Sequence, residues 1–158
     1  MPNIVMTRID NYLIHSRITA QWFGATGANL IIVANDDVAV DKMRQALMDM
    51  AAPSYISIRY WSIQKTIETI HMASERQKIF IVCEKPFDVL RLVEGGVPIE
   101  SVSIGYMYMT EGKRRITPSV AVDDKDVEVF ARLRRLGVEL EMRRIPAEPA
   151  DDIEKLFR

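Results

Sequence analysis

Short apolar runs alternate with stretches of helical period along these 158 residues. The first run, 3–6 (NIVM), gives way to polar Thr7 and charged Arg8, so it reads as a buried strand opening onto a polar loop. A short helix is expected from Ile18 to Phe23, ended by Gly24 and Gly27. Residues 29–34 (NLIIVA) form a nearly unbroken β-branched run, the mark of a strand covered on both faces. Within 41–50, Met43, Ala46, Leu47 and Met50 recur at intervals of three and four, so they share one face of a helix, which we read as core. Pro53 breaks that helix, and 56–62 (ISIRYWS) alternates like a strand. Residues 63–73 then place Ile67, Ile70 and His71 at helical spacing.

The second half repeats the scheme. Residues 78–83 (KIFIVC) form another buried strand, and Pro86 opens a helix through Glu94 that Gly95 and Gly96 close. Short strands are expected at 102–104 and 119–122. Asp123, Asp124 and Asp126 begin a helix reaching Leu136, with Arg132, Arg134 and Arg135 near its end, the charge order that suits a helix dipole. Gly137 stops it, 138–142 is a last strand, and the tail after Pro146 holds a short helix around 151–157. Strands alternating with helices predict a single-domain α/β fold over 1–158, an open, mainly parallel sheet with helices on both faces. Ligand sites in such sheets lie beyond the carboxyl ends of the strands. The loops 8–17, 35–37, 84–88 and 105–108 are therefore expected at one rim.

Composition narrows the function classes. With 48% hydrophobic residues the chain can bury a real core, and 21 Lys plus Arg against 22 Asp plus Glu give no reason to expect nucleic acid as a partner. The single cysteine, Cys83, excludes an internal disulfide and sits in an apolar run, where it reads as a small buried hydrophobe. No apolar stretch approaches the roughly 20 residues that span a bilayer, and MPNIVMTRID has neither a basic leader nor a long apolar segment. The expectation is a soluble, intracellular protein. The glycines are too scattered for a dinucleotide or phosphate-loop fingerprint, GxSxG is missing, and no metal-ligand spacing occurs, so no cofactor or metal is expected.

What remains is a concentration of chemistry at 6–22 (MTRIDNYLIHSRITAQW), where His15 stands among Arg8, Asp10, Ser16 and Arg17. An imidazole can take a phosphoryl group while a carboxylate orients its other ring nitrogen and guanidinium groups neutralise the oxyanion. Spacing alone is a weak signal, and a solvated loop histidine with ordinary charged neighbours is the reading it favours.

The segment RIDNYLIHSRIT, however, resembles the active-site segment of the IIB components of mannose-family sugar phosphotransferase systems, written RIDxRLIHGQV. The resemblance continues in order through ANLIIVANDDVAVDKMRQALMDMAAP, IRYWSIQKTIETI, RQKIFIVCEKPFDVLRLVEGGVPIESVSIGYM, EGKRRIT and GVELEMRRIPAEPADDIEKL, and its N-acetylgalactosamine or galactosamine branch looks most similar. It implies that His15 is transiently phosphorylated at Nδ1 by the phosphohistidine of a IIA protein or domain. His15 then passes the group to the 6-hydroxyl of an amino sugar or hexose held by the membrane components IIC and IID. Asp10 matches the family acid. Arg8 also matches and is read as a phosphate or docking cation, with Ser16 and Arg17 as further phosphate support and Tyr12, Asn35, Asp36, Gly105 and Tyr106 at the rim. The implied location is cytoplasmic, at the inner face of the membrane through IIC and IID; a homo-oligomer is left open.

Three departures accompany the resemblance. Tyr12 stands where the family has Arg, Ser16 and Arg17 stand where Gly-Gln follows the histidine, and Tyr106 and Tyr108 replace the branch's Asn and His. Losing a cation beside a phosphoryl group removes a charge-assisted contact of roughly 1.5 to 3 kcal/mol. A non-catalytic or weakly active regulatory paralogue that keeps the fold and partner surface is the alternative these changes raise.

Overall fold

A computed structural model describes residues 1–15 and 17–158, with 17 and 18 described by backbone alone. Its first strand, β1 (Asn3–Ile9), runs past the expected end at Met6. Thr7 and Arg8 pair across the sheet with Ile81 and Val82, and Arg8 also with Ser103, so polar residues continue a strand that hydrophobicity alone would end. The chain continues through α1 (Arg17–Thr26), β2 (Leu30–Ala34), α2 (Lys42–Ala51), β3 (Ser57–Trp61), α3 (Ile63–Thr69), β4 (Lys78–Cys83) and α4 (Pro86–Glu94). After these come β5 (Ser101–Ile104), a hairpin of β6 (Arg114–Thr117) and β7 (Val120–Val122), α5 (Asp124–Arg135), β8 (Glu139–Met142) and a 3-10 turn at Ile153–Phe157.

Six strands form one parallel sheet in the order β3-β2-β4-β1-β5-β8, while β6 and β7 pair antiparallel apart from it. The local reading foresaw a strand near β7 but not its hairpin partner, whose charged face, Arg114 and Arg115, hides the strand pattern. Alternate residues of the central strands separate two cores, as period-two side-chain direction requires. Leu30, Ile32, Ala34, Ile79, Ile81 and Cys83 pack with residues of α3, α4 and α5. Ile31, Val33, Phe80 and Val82 face Trp22 and Phe23 of α1 and Met48 of α2 on the other side, where Phe23 meets Phe80 edge-on at 5.0 Å.

Helix ends follow local chemistry. Asp41 caps α2 and Ser62 caps α3, while Asp123 and Asp126 form a reciprocal capping box at α5. Gly24 lies inside α1 instead of ending it; Gly27, at φ 69°, is the terminator. The larger correction concerns α2. Met43, Leu47 and Met50, expected in the core, are 76%, 62% and 83% exposed, and the buried residue of that helix is Met48. Polar bonds select the face: the Gln45 amide donates to the Val38 and Ala39 carbonyls, and Tyr60 donates to the Gln45 carbonyl, turning the Gln45 and Met48 side inward.

Strand order also places the crevice. From β1 the chain crosses toward β2, and from the adjacent β4 it crosses the other way, toward β5. Between two neighbouring strands whose connections leave to opposite faces of the sheet, a crevice opens beyond their carboxyl ends. The loop after β1 lies there.

Candidate active site

The loop after β1 is built as a succession of tight turns. The Asp10 Oδ1 accepts the Tyr12 N–H at 2.8 Å, and the Leu13 N–H donates to the Asp10 carbonyl at 3.0 Å. Leu13 sits at φ 58°, a left-handed conformation that costs a non-glycine residue about 1–2 kcal/mol. Burial of Leu13 and Ile14 beside Trp22 and Phe23 holds it there. Asn11 ties the rim together: its N–H donates to the Tyr106 carbonyl, its Nδ2 to the Glu84 carbonyl at 2.6 Å, and its Oδ1 accepts from the Tyr108 N–H. One side chain thus joins the loops after β1, β4 and β5.

His15 ends this loop, two residues before α1 begins. Its Nε2 lies 2.9 Å from Asp10 Oδ2, and the Asp10 side chain is 3% exposed while that of His15 is 22% exposed. A carboxylate only accepts, so in the neutral imidazole this contact places the hydrogen on Nε2 and the lone pair on Nδ1. Its backbone N–H donates to Thr19 Oγ1 at 3.4 Å. Tyr12 tilts over the ring at 5.4 Å, Tyr106 meets it edge-on at 5.6 Å, and Tyr108 packs against Tyr12 at 5.6 Å. On its open side the imidazole joins Tyr12, Ile14, Arg44, Leu47, Met48 and Ala51 around a cleft of about 260 Å³.

Arg8, read from the sequence as a phosphate or docking cation, is placed differently. It is 1% exposed, its Nη1 donates to Ser103 Oγ at 2.8 Å and to the Arg143 carbonyl at 3.0 Å, and its Nη2 donates to the Arg144 carbonyl at 2.8 Å. Its guanidinium stacks on Trp22 at 4.5 Å, and Trp22 in turn donates its indole N–H to the Arg144 carbonyl. Burial lowers its pKa to about 10, which still leaves it charged near neutrality. This geometry makes Arg8 a strut joining β1, β5, α1 and the segment after β8. Gly105 leaves room for it, since a Cβ there would lie 2.5 Å from Arg8 Nη2.

The remaining candidates divide. Tyr12 and Tyr106 reach His15, as described. Asn35 is buried and braces its own turn, its Oδ1 accepting from the Asp37 and Val38 N–H groups. Asp36 lies farther along the rim, accepting from the Ile63 N–H and from Arg91 at 3.0 Å; these bonds hold its carboxyl below the usual range. Ser16 and the Arg17 side chain lie outside the described residues. Sequence reasoning missed Asn11, Thr19, Trp22, Ser103 and Arg44. The Arg8 partners are 95, 135 and 136 positions away, so no local pattern announces them. Near the rim, Asp88 is pushed up to about 6 by burial, partly opposed by Arg91 and Lys85. Burial also raises the Cys83 thiol well above its ordinary value, leaving it un-ionised.

An open parallel sheet that presents, at its crossover point, a histidine held through one ring nitrogen by a buried carboxylate has the layout of an α/β group-transfer domain. The chain belongs to the family described as the PTS system sorbose subfamily IIB component, whose model matches residues 4–158. It is thus a subunit of a sugar phosphotransferase system. It is 47% identical over 157 residues to the N-acetylgalactosamine-specific phosphotransferase enzyme IIB component 2 of Escherichia coli K12, covering 99% of this chain and 100% of that one. The crystal structure of the E. coli N-acetylgalactosamine-specific IIB component 1 superposes with a TM-score of 0.92 at 39% identity, over 96% of this chain and 99% of that one. The mannose-specific EIIAB component of E. coli K12 is 38% identical over 149 residues, 92% of this chain and 46% of its own length. Among the described residues, no helix is long and apolar enough to cross a membrane.

Proposed function

We propose that His15 is the phosphoryl-carrying residue, accepting the group on Nδ1. The observation that carries this reading is the 2.9 Å contact between His15 Nε2 and Asp10 Oδ2. With Nε2 protonated and held, Nδ1 offers the lone pair. As the Nδ1–P bond forms, the donor P–N bond breaks and the donor imidazole departs. The positive charge that develops on the His15 ring is offset by Asp10. In the second step a sugar hydroxyl oxygen bonds phosphorus, the Nδ1–P bond breaks, and the hydroxyl proton passes to the freed imidazole. Most of the catalysis is positioning and charge neutralisation.

The donor in this reading is a phosphorylated IIA protein or domain, and the acceptor is a sugar held by membrane components IIC and IID. The activity is that of a protein-phosphohistidine–sugar phosphotransferase. Support for a IIA partner comes from the mannose-specific relative, whose name combines A and B in one chain. Relatives specific for N-acetylgalactosamine make an amino sugar the substrate class to test first. The protein would work in the cytoplasm, at the inner face of the membrane. The intact Asp10–His15 pair favours an active carrier over the regulatory alternative.

The test is to incubate the protein with phosphoenolpyruvate, the general phosphotransferase proteins and a IIA, then weigh it intact. One acid-labile phosphoryl group in the wild type and none in His15→Ala is expected. An unmodified wild type that still binds phosphorylated IIA refutes the carrier reading.

A further inference from the structure

A phosphoryl group on Nδ1 carries about two negative charges, yet among the described side chains the two motif positions that would bring a cation before His15, 8 and 12, are spent or replaced. The Arg17 side chain lies outside the described residues. Arg8 is buried, with its Nη1 and Nη2 committed to Ser103 Oγ and two backbone carbonyls. Position 12 holds a neutral tyrosine, and Tyr106 closes the ring from a second side. Arg144, beyond Tyr106, already pairs with Glu148 and does not line the cleft that His15 opens onto.

We infer that Arg44, presented by α2, supplies the phosphoryl-binding cation of His15; the inference rests on the phosphocarrier reading above. Among the described residues lining the cleft, Arg44 is the one permanent cation, and the wall beside it is Ile14, Leu47, Met48 and Ala51. Low-dielectric walls strengthen the attraction between a guanidinium and a phosphoryl oxygen, and two parallel N–H donors match that oxygen pair. The backbone under Arg44 is fixed, because its N–H donates to the Asp41 cap at 3.1 Å and the next residue, Gln45, pins the inward face. Its side chain is held more loosely: the contact with Glu84 is 3.6 Å, longer than a hydrogen bond, and the side chain is 41% exposed. A cation parked on a long, partly solvated contact can exchange Glu84 for a phosphoryl oxygen without breaking a good bond. Glu84 then keeps the Asn35 amide at 3.4 Å, so the exchange does not orphan it. Arg44 is therefore placed to do from α2 what the loop arginine does in the family motif.

The test uses phosphoramidate, a small donor that transfers its phosphoryl group to histidine without a protein partner, releasing ammonia as the P–N bond breaks. Initial rates over a range of phosphoramidate concentrations and the final yield of acid-labile phosphate are read by intact mass. The proteins compared are wild type, Arg44→Gln, Arg44→Lys and Arg144→Gln. Arg44→Gln is expected to lose about tenfold or more in rate over KM, with Arg44→Lys recovering a large part, because one charge-assisted contact is removed and then partly restored. Thermal melting should be unchanged, which separates this loss from misfolding. An Arg44→Gln protein within about twofold of wild type overturns the inference. So does a loss that follows Arg144→Gln instead. A wild type that phosphoramidate and phosphorylated IIA both leave unmodified overturns the carrier reading itself, and this inference with it.

Discussion

Replacing Gly105 by alanine tests the strut under the active-site loop. The added Cβ would lie 2.5 Å from Arg8 Nη2, 2.6 Å from its Cζ and 2.8 Å from its Nε. Ordinary carbon contacts begin near 3.4 Å, so the guanidinium must retreat by about 1 Å. It cannot retreat intact, because Ser103 Oγ and the Arg143 and Arg144 carbonyls hold it at 2.8–3.0 Å and Trp22 covers its face. Hydrogen bonds to a buried charge are worth roughly 1.5–3 kcal/mol each, so loss of one or two predicts destabilisation of about 1.5–6 kcal/mol. For a domain of this size that is roughly 3–24 °C in Tm. Urea unfolding of wild type, Gly105→Ala, Arg8→Met and the double variant measures it. The double variant should be more stable than the sum of the singles by at least about 1 kcal/mol, since methionine removes the group that collides. A Gly105→Ala cost below about 0.5 kcal/mol, or strict additivity, would refute the strut.

Further predictions follow from the same geometry. Asp10→Ala should slow phosphoryl transfer to His15 by roughly 10- to 100-fold, the equivalent of one charge-assisted hydrogen bond; transfer assayed from phosphorylated IIA at wild-type speed would remove Asp10 from the mechanism. Asp88, with its carboxyl raised from 3.8 to about 6, binds a proton more tightly folded than unfolded, so its contribution to stability is present below 3.8 and is lost as pH rises through 6. Asp88→Asn should therefore gain on wild type by at most about 3 kcal/mol in urea melts at pH 8 and by little at pH 3.5, whereas a pH-independent difference would contradict the burial argument. Met43→Lys and Met50→Lys should change stability by less than about 0.5 kcal/mol, against the 2–5 kcal/mol of a core methionine, since both side chains are largely exposed. A large loss in either would restore the core reading of that face.

Sequence alone determined the alternation of buried strands and helices, and with it the parallel sheet and the rim, and it pointed to His15 as the candidate centre of the chemistry. Those are local properties: β-branched runs such as LIIVA, caps such as Asp41 and Asp123, and a motif contained within a dozen residues. Tertiary structure decided which apolar face of α2 is buried, because Met43, Leu47 and Met50 compete at the same period with Met48. What selects between them is a set of polar bonds from Gln45 and Tyr60. It likewise decided the place of Arg8, whose charge looks available in a linear motif and is enclosed by partners more than ninety positions away. Arg44 reaches the His15 cleft only because β2 and α2 follow a crossover that returns them beside the first loop. A one-dimensional pattern records what each residue prefers; which distant residues meet it depends on the order in which the strands assemble.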